Sequence, residues 1–394
     1  MNAEELQKKL IEESIIVSQY VIDTRRQIHM FPETKFEEEN TASFIEEELH
    51  KIGYQTIRTA GTGVIAVLEG NEGGKSIALR ADTDALDIAE DNELPYKSQI
   101  PGKMHACGHD AHIAMLLGAA KIFYKYKEHI QGKIKLIFQP AEEGGGGAKK
   151  IVEEGHIDDV DEIFGIHVWR ELPSGVLGTR KGAFLASSDQ FIITITGKGG
   201  HAASPEQTFD PTAVLADIYN AIQKIVSREI NPLENAVISV PVIKGSDAHN
   251  VIPSTATMEG TFRTFNTEVR KLILKRIKEI VEGYSHAWRC EGKVEFEIGG
   301  IFYPPTVNHE QSVEDVIKIL QPLDKVVEVN KTMGGEDFAF YLLKTKGAFI
   351  ALGLHNEEKG IIHPHHHPKF NVDEEVLWKG TATYALLGFY SLII

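Results

Sequence analysis

The sequence predicts an α/β protein, a mixed but mostly parallel sheet flanked by helices, interrupted by a smaller inserted α+β domain. Three observations carry this expectation. Strongly apolar segments alternate with helical ones over residues 63–168, the pattern of strands buried on both faces. Residues 181–296 then read β-α-β-β-α-β, the order of a ferredoxin-like unit. At 394 residues the chain exceeds what one ordinary hydrophobic core holds.

Taken in order, Leu6, Leu10, Ile15, Val17, Val21 and Ile28 recur at helical spacing and predict an amphipathic helix over about 4–30. A second helix over 38–52 should stop at Gly53. Apolar strands are expected at 63–69, 76–81, 133–139 and 162–168, with helices at 111–127 and 148–154. In the insert, FIITITG (191–197) alternates like a half-exposed strand. Asp210 and Pro211 open a helix reaching 230. Strands at 236–243 and 255–265, a helix at 267–288 and a strand at 293–298 complete the unit. The first pattern resumes with a strand at 348–353 and a helix at 374–392. The expected division is a discontinuous domain, 1–180 plus 297–394, around an insert at 181–296.

Composition narrows the function. The net charge is −16 with no basic block, which argues against nucleic acid, because phosphate binding needs a basic stripe. No apolar run approaches the roughly 20 residues that cross a bilayer, so no membrane partner is expected. The opening MNAEELQKKLIEES lacks the apolar stretch of a signal peptide. Two cysteines in unlike contexts, Cys107 and Cys290, exclude a disulfide framework and point to a reducing, cytoplasmic setting.

Chemistry concentrates in four segments at or beyond strand ends, where open α/β sheets place their sites. MHACGHDAH (104–112) offers Cys107 and His109 before a helix, a thiolate and an imidazole suited to zinc and similar metals. Gln139-Pro140-Ala141-Glu142-Glu143 ends a strand on two adjacent carboxylates. One of these can bind a metal while the other takes a proton from water. GIHVW places His167 at the end of an apolar strand, and HPHHHPKF (363–370) holds four histidines. Singly, each of the first three reads more readily as a cap or surface group, a solvated acid or a satisfied core histidine, and a histidine run is in general more often an engineered tag, though this one is internal. Together they supply donors for two metals with a position left for water.

These segments, with GKGGHAASP, HNVIPSTATMEGTFR, MGGEDFA and HHHPKFNVDE, occur in an order that closely resembles the amidohydrolase branch of the aminoacylase/carboxypeptidase metallopeptidases. That branch holds hippurate hydrolases, N-acyl-amino-acid deacetylases, plant auxin-conjugate hydrolases and thermostable archaeal carboxypeptidases. The resemblance runs from TRRQIHMFPE, at residue 24, to the C-terminal helix. It implies two divalent ions per subunit, zinc foremost with manganese or cobalt as alternatives, held by Cys107, His109, Glu143, His167 and His366. His365 and His367 flank the last of these and compete with it. Glu142 becomes the general base. Asp84 of RADTDALD becomes a second-layer orienting group, with Asp82 as competitor and Asp110 as a further group near the site.

In the insert the resemblance gives His201 to a substrate or transition-state oxygen, often in a neighbouring subunit, and Asn250 and Arg263 to the substrate's carboxylate. A guanidinium suits that last task because its planar fork makes paired hydrogen bonds. The insert is thereby expected to act as lid and dimerisation domain, in a homodimer or homotetramer. Asp87 stands where proline usually ends the RADxDALP pattern, and Ala202 replaces a frequent glycine after His201. Neither change removes a catalytic group.

The expected activity is metal-dependent hydrolysis of an amide beside a free carboxylate, in an N-acyl amino acid or at the C-terminal residue of a short peptide. Two other readings stay open at this point. Cys107 could act as a nucleophile with His109 as its base, or the fold could bind a metal or ligand without turnover.

Overall fold

The computed structural model describes residues 2–297 and 302–394. It divides into two units. One runs to Gly182 and resumes over Val307–Asn330 and Asp337–Ile394; the other holds Ala183–Thr306 and Lys331–Glu336.

The larger unit is built on an eight-stranded sheet. Its order across the sheet is Thr56–Thr59, Gly63–Glu69, Gln131–Gln139, Asn71–Asp82, Glu162–Pro173, Lys346–His355, Leu177–Thr179 and Val326–Glu328. The four central strands run parallel: Asn71–Asp82 lies between Gln131–Gln139 and Glu162–Pro173, and Lys346–His355 follows the latter. Antiparallel pairs flank them on both sides. Ile77, Leu79, Leu136, Phe138, Phe164, Ile166, Ile350 and Leu352 are almost fully buried, as strands covered on both faces require. Helix His109–Lys125 is buried nearly all round. It packs between Ser18–Met30 and Leu377–Gly388, which accounts for a sequence too apolar to show one polar face.

The single N-terminal helix expected over 4–30 is two helices, Ala3–Ile16 and Ser18–Met30, parted at Val17 with φ −83° and ψ 1°. Asn2 and Glu5 cap the first reciprocally. Helix Glu39–Ile52 ends at Gly53, whose φ of +119° suits glycine. The C-terminal helix expected over 374–392 is likewise broken, into a 3₁₀ turn at Glu374–Val376 and helices Leu377–Gly388 and Tyr390–Ile393.

The smaller unit carries an antiparallel sheet ordered Ala236–Lys244, Thr255–Thr264, Asp189–Thr196, Glu291–Phe296. Helices Pro211–Lys224 and Thr267–Ala287 cover one face. This is the βαββαβ arrangement read from the sequence. Phe191, Ile193, Ile195, Ala256, Met258 and Phe262 point to the helices and meet Leu215, Ile218, Ile273 and Ile277 in a separate core. The first helix closes with a π-turn at Ile225–Glu229 rather than continuing regularly to 230. Of the strand expected at 293–298, residue 298 lies outside the described residues.

Candidate metal centre

The parallel strands deliver the chemistry to one edge of the sheet. Asn71–Asp82 ends on Asp82, Gln131–Gln139 runs into Glu142 and Glu143, and Glu162–Pro173 carries His167. Cys107 and His109 enter from the start of helix His109–Lys125. Gly108 between them adopts φ +92°, and a Cβ there would meet Val168 Cγ2 at 2.4 Å. Glycine thus lets the Cys107–His109 arm close onto the His167 strand.

Among the described residues, three ligand sets lie wholly within the larger unit. The donor atoms of Cys107, Glu143 and His366 lie within 4.8 Å of one another, as do those of His109, Glu142 and Glu143. Asp82, His109, His112 and His167 form the third set, all buried. Cys107 Sγ stands 3.4 Å from His167 Nε2, and His366 Nε2 stands 3.0 Å from Glu143 Oε1. The thiol therefore faces both His167 and the Glu143–His366 pair.

Hydrogen bonds fix how these rings point. His109 Nδ1 donates to the Asp84 carbonyl at 2.8 Å, and His167 Nδ1 donates to the Val168 carbonyl at 2.6 Å. Both rings are thereby held with Nε2 turned inward, the arrangement that prepares an imidazole for a metal. His109 Nε2 is fully buried, 3.5 Å from Asp82 Oδ2, and has no hydrogen-bond partner among the described residues. His112 is different. Its Nδ1 donates to Asp82 Oδ1 at 2.5 Å and its Nε2 accepts from the Val168 N–H at 2.9 Å, so both nitrogens are used and it serves as a strut between two strands.

Asp84 holds the two glutamates. Its Oδ1 accepts from Glu142 N at 3.0 Å and its Oδ2 from Glu143 N at 2.9 Å. Ala141, at φ +53°, makes the turn that aims both carboxylates, and its N–H donates to buried Glu38 at 2.8 Å. Behind the site, Arg80 binds Asp82 at 2.7 Å, Gln139 at 2.8 Å and Asp337 at 3.0 Å. Asp110 faces away, toward Arg25 and His29.

The histidine run resolves by backbone geometry. His366, at φ +65°, reaches Glu143. His365 is inside, where its Nε2 faces the Arg170 N–H at 3.4 Å and its ring packs on Phe370. Burial pushes its pKa down to about 3, so it stays neutral. His367 stacks on His363 at 4.4 Å.

The donor set fits a cation on its own terms. Asp82, Asp84, Glu142 and Glu143 crowd a buried space. Burial lowers the His109 pKa, but Asp82 and Asp84 outweigh it and raise the value to about 10. Burial, reinforced by Glu143, Glu142 and Asp82, pushes the Cys107 thiol well up. Burial works to raise Glu143, yet His366 and His109 hold it below the usual glutamate range. So much negative charge draws protons onto the neighbours; divalent ions would take their place. A thiol held protonated is also the reverse of an activated nucleophile.

The insert residues lie in the smaller unit. His201 sits on a two-residue strand, Gly200–His201, paired with Val251–Ile252. Asn250 is drawn beside it, its carbonyl accepting from Ala202 N at 3.0 Å. His201 Nδ1 accepts from Ala203 N at 3.0 Å. Arg263 is on the sheet face opposite the helices, where it lines a cavity of about 400 Å³ with Gln190, Pro241, Glu259 and Thr261. Its guanidinium turns back to Thr261 Oγ1 and, at 3.0 Å, to the Phe262 carbonyl.

Sequence reasoning did not single out His112, Arg80 or Glu38. His109 and His112 are three apart on one helix face, a spacing that would have flagged the pair. Nothing local announces Glu38, whose partners Thr62 and Ala141 are distant in sequence.

The family model of peptidase family M20/M25/M40 matches residues 78–388. Thermostable carboxypeptidase 1 of Saccharolobus solfataricus is 42% identical over 391 residues, 98% of each chain. The IAA-amino acid hydrolase ILR1-like 4 of Arabidopsis thaliana is 42% identical over 374 residues, 94% of this chain and 85% of its own. Among solved structures, the YxeP protein of Bacillus subtilis, a dinuclear metal-binding peptidase of the M20 family, superposes with a TM-score of 0.83. It is 33% identical and covers 96% of this chain and 99% of its own. With this geometry and these relatives, the chain belongs to peptidase family M20/M25/M40 and is a metal-dependent hydrolase of amide bonds.

Proposed function

We propose that the enzyme releases an amino acid by cleaving the amide of an N-acyl amino acid or the C-terminal peptide bond of a short peptide. The observation that carries this reading is that Glu143 is shared by two ligand sets, one with Cys107 and His366 and one with His109 and Glu142, while Cys107 Sγ also faces His167 Nε2 at 3.4 Å. Two relatives at 42% identity bear the names thermostable carboxypeptidase and IAA-amino acid hydrolase, which supports this reading. Cys107, His109, Glu143, His167 and His366 would hold two divalent ions, zinc or else manganese or cobalt. When bound, such ions polarise the scissile carbonyl and make water acidic enough to give up a proton near neutral pH.

The chain's own groups do the rest. Glu142 takes the proton of the attacking water and passes it to the leaving amine. Asp84, bonded to the N–H groups of Glu142 and Glu143, fixes base and ligand together. By the family resemblance, His201 stabilises the developing oxyanion, and Asn250 and Arg263 hold the free carboxylate. The larger unit is then the catalytic domain and the smaller one a lid and dimerisation domain, in a cytoplasmic homodimer or homotetramer.

The test is a matched panel of N-acetyl and N-benzoyl amino acids and blocked dipeptides, assayed with metal-stripped and reloaded protein. Free amino acid should appear only after reloading, and the preferred row separates deacylase from carboxypeptidase. Glu142→Gln should lower kcat by about 10³-fold, within the range of lost general bases, while metal content stays that of the wild type. Loss of metal together with turnover would refute the base assignment.

A further inference from the structure

The segment TRRQIHMFPE plays no part in the chemistry above, yet it reaches into the scaffold of the centre. Arg25 and His29, one turn apart on helix Ser18–Met30, both meet Asp110, the residue after His109. Arg25 Nε donates to Asp110 Oδ2 at 2.7 Å and His29 Nδ1 approaches the same oxygen at 2.8 Å. All three side chains are fully buried.

The same guanidinium reaches the other arm. Arg25 Nη1 donates to Glu374 at 3.2 Å, in the segment that follows His366. His29 Nε2 lies 3.2 Å from Glu90 Oε1, and that oxygen also accepts from Asn92 Nδ2, which donates in turn to the Phe370 carbonyl at 2.9 Å. Thus one buried cation ties the start of the Cys107–His109 helix to the His366–Glu374 segment.

Stability alone gives a poor account of this arrangement. A buried ion pair recovers little more than its desolvation cost, and apolar residues of like volume often stabilise as well or better. What the fork of Arg25 supplies is fixed direction at two ends. We propose that Arg25 is a positioning residue for the metal centre, setting the separation of the Cys107–His109 arm from the His366 arm. The inference rests on the metal-centre reading above.

Cobalt(II) is the probe, because its visible absorption reports coordination geometry. Wild type, Arg25→Lys, His29→Gln and Ile122→Val are loaded and compared by visible spectrum, by rate of cobalt release to EDTA, by circular dichroism and by thermal midpoint. Ile122 is buried at the far end of the same helix, so its variant loosens the fold without touching Asp110. Arg25→Lys keeps the charge and loses the fork. It should retain the wild-type circular dichroism, shift the cobalt bands and release cobalt at least about 10-fold faster, the scale on which outer-layer partners act. Its kcat should fall with KM little changed.

His29→Gln removes one contact to Asp110 without unpairing the cation, and should move the same readouts in the same direction. It carries the test if Arg25→Lys does not fold. Ile122→Val should lower only the midpoint. A brace variant with a lowered midpoint but wild-type spectrum and release rate overturns the inference and leaves the metal centre standing. Wild-type protein that takes up no cobalt overturns both.

Discussion

Replacing Glu38 by glutamine should stabilise the protein at neutral pH and leave it unchanged in acid. Glu38 is fully buried. One oxygen accepts from Thr62 Oγ1 at 2.6 Å and the other from Ala141 N at 2.8 Å. Burial, with help from the Asp84 charge, outweighs these bonds and raises its pKa from 4.5 to about 7. The sign follows directly. Below about 4.5 the carboxyl is protonated in both folded and unfolded chains, and its ionisation costs nothing. Between 4.5 and 7 unfolding releases a proton, so stability falls as pH rises; above 7 the loss is complete and constant. At about 1.4 kcal/mol per pH unit the loss is about 3 kcal/mol. Glutamine keeps the shape and is always neutral: its oxygen can accept from Ala141 N while its NH₂ donates to Thr62 Oγ1. Thermal midpoints of wild type and Glu38→Gln, measured from pH 4.5 to 8, should coincide at the acid end and diverge by about 5 °C by pH 8. Midpoints that differ by a constant amount across this range would refute the argument, because the effect would then owe nothing to ionisation.

Two further outcomes follow from the centre itself. Cys107 and His109 hold their protons near neutral pH when only protein groups surround them, so metal uptake should release about two protons and tighten as pH rises. Calorimetric titration in buffers of different ionisation enthalpy checks this, and heats independent of buffer would contradict it. Gly108→Ala should destabilise by about 2–4 kcal/mol, combining an unfavourable positive φ with overpacking against Val168, and should weaken metal binding. Adding Val168→Ala removes the clash but not the backbone strain, so it should restore part of both losses; no recovery in the melting midpoint or in metal affinity would place the damage elsewhere.

The fold was legible where one segment holds its own explanation. The apolar strand at Gly63–Glu69 has the bounds read from the sequence, and the alternation of FIITITG gives an inward row at Phe191, Ile193 and Ile195. Short strands such as Thr56–Thr59 and Leu177–Thr179 owe their existence to neighbours already in place, so no local period marks them. The same division runs through the centre. Cys107, His109, Glu142, Glu143 and His167 sit in motifs that announce metal chemistry, because strand ends and a helix start deliver them together. Which histidine of 365–367 enters cannot be read locally. It depends on the positive φ of His366 and on its N–H, which donates to the Ala106 carbonyl at 2.9 Å, a bond between segments about 260 residues apart that only the folded chain creates. His112 makes the point more sharply. It lies in the same nine-residue motif as two proposed ligands and has the right chemistry, yet a backbone N–H from Val168 occupies its Nε2. Residue type and spacing identify the candidates for a metal centre, but the hydrogen bonds at the second nitrogen of each ring decide which of them are free to bind.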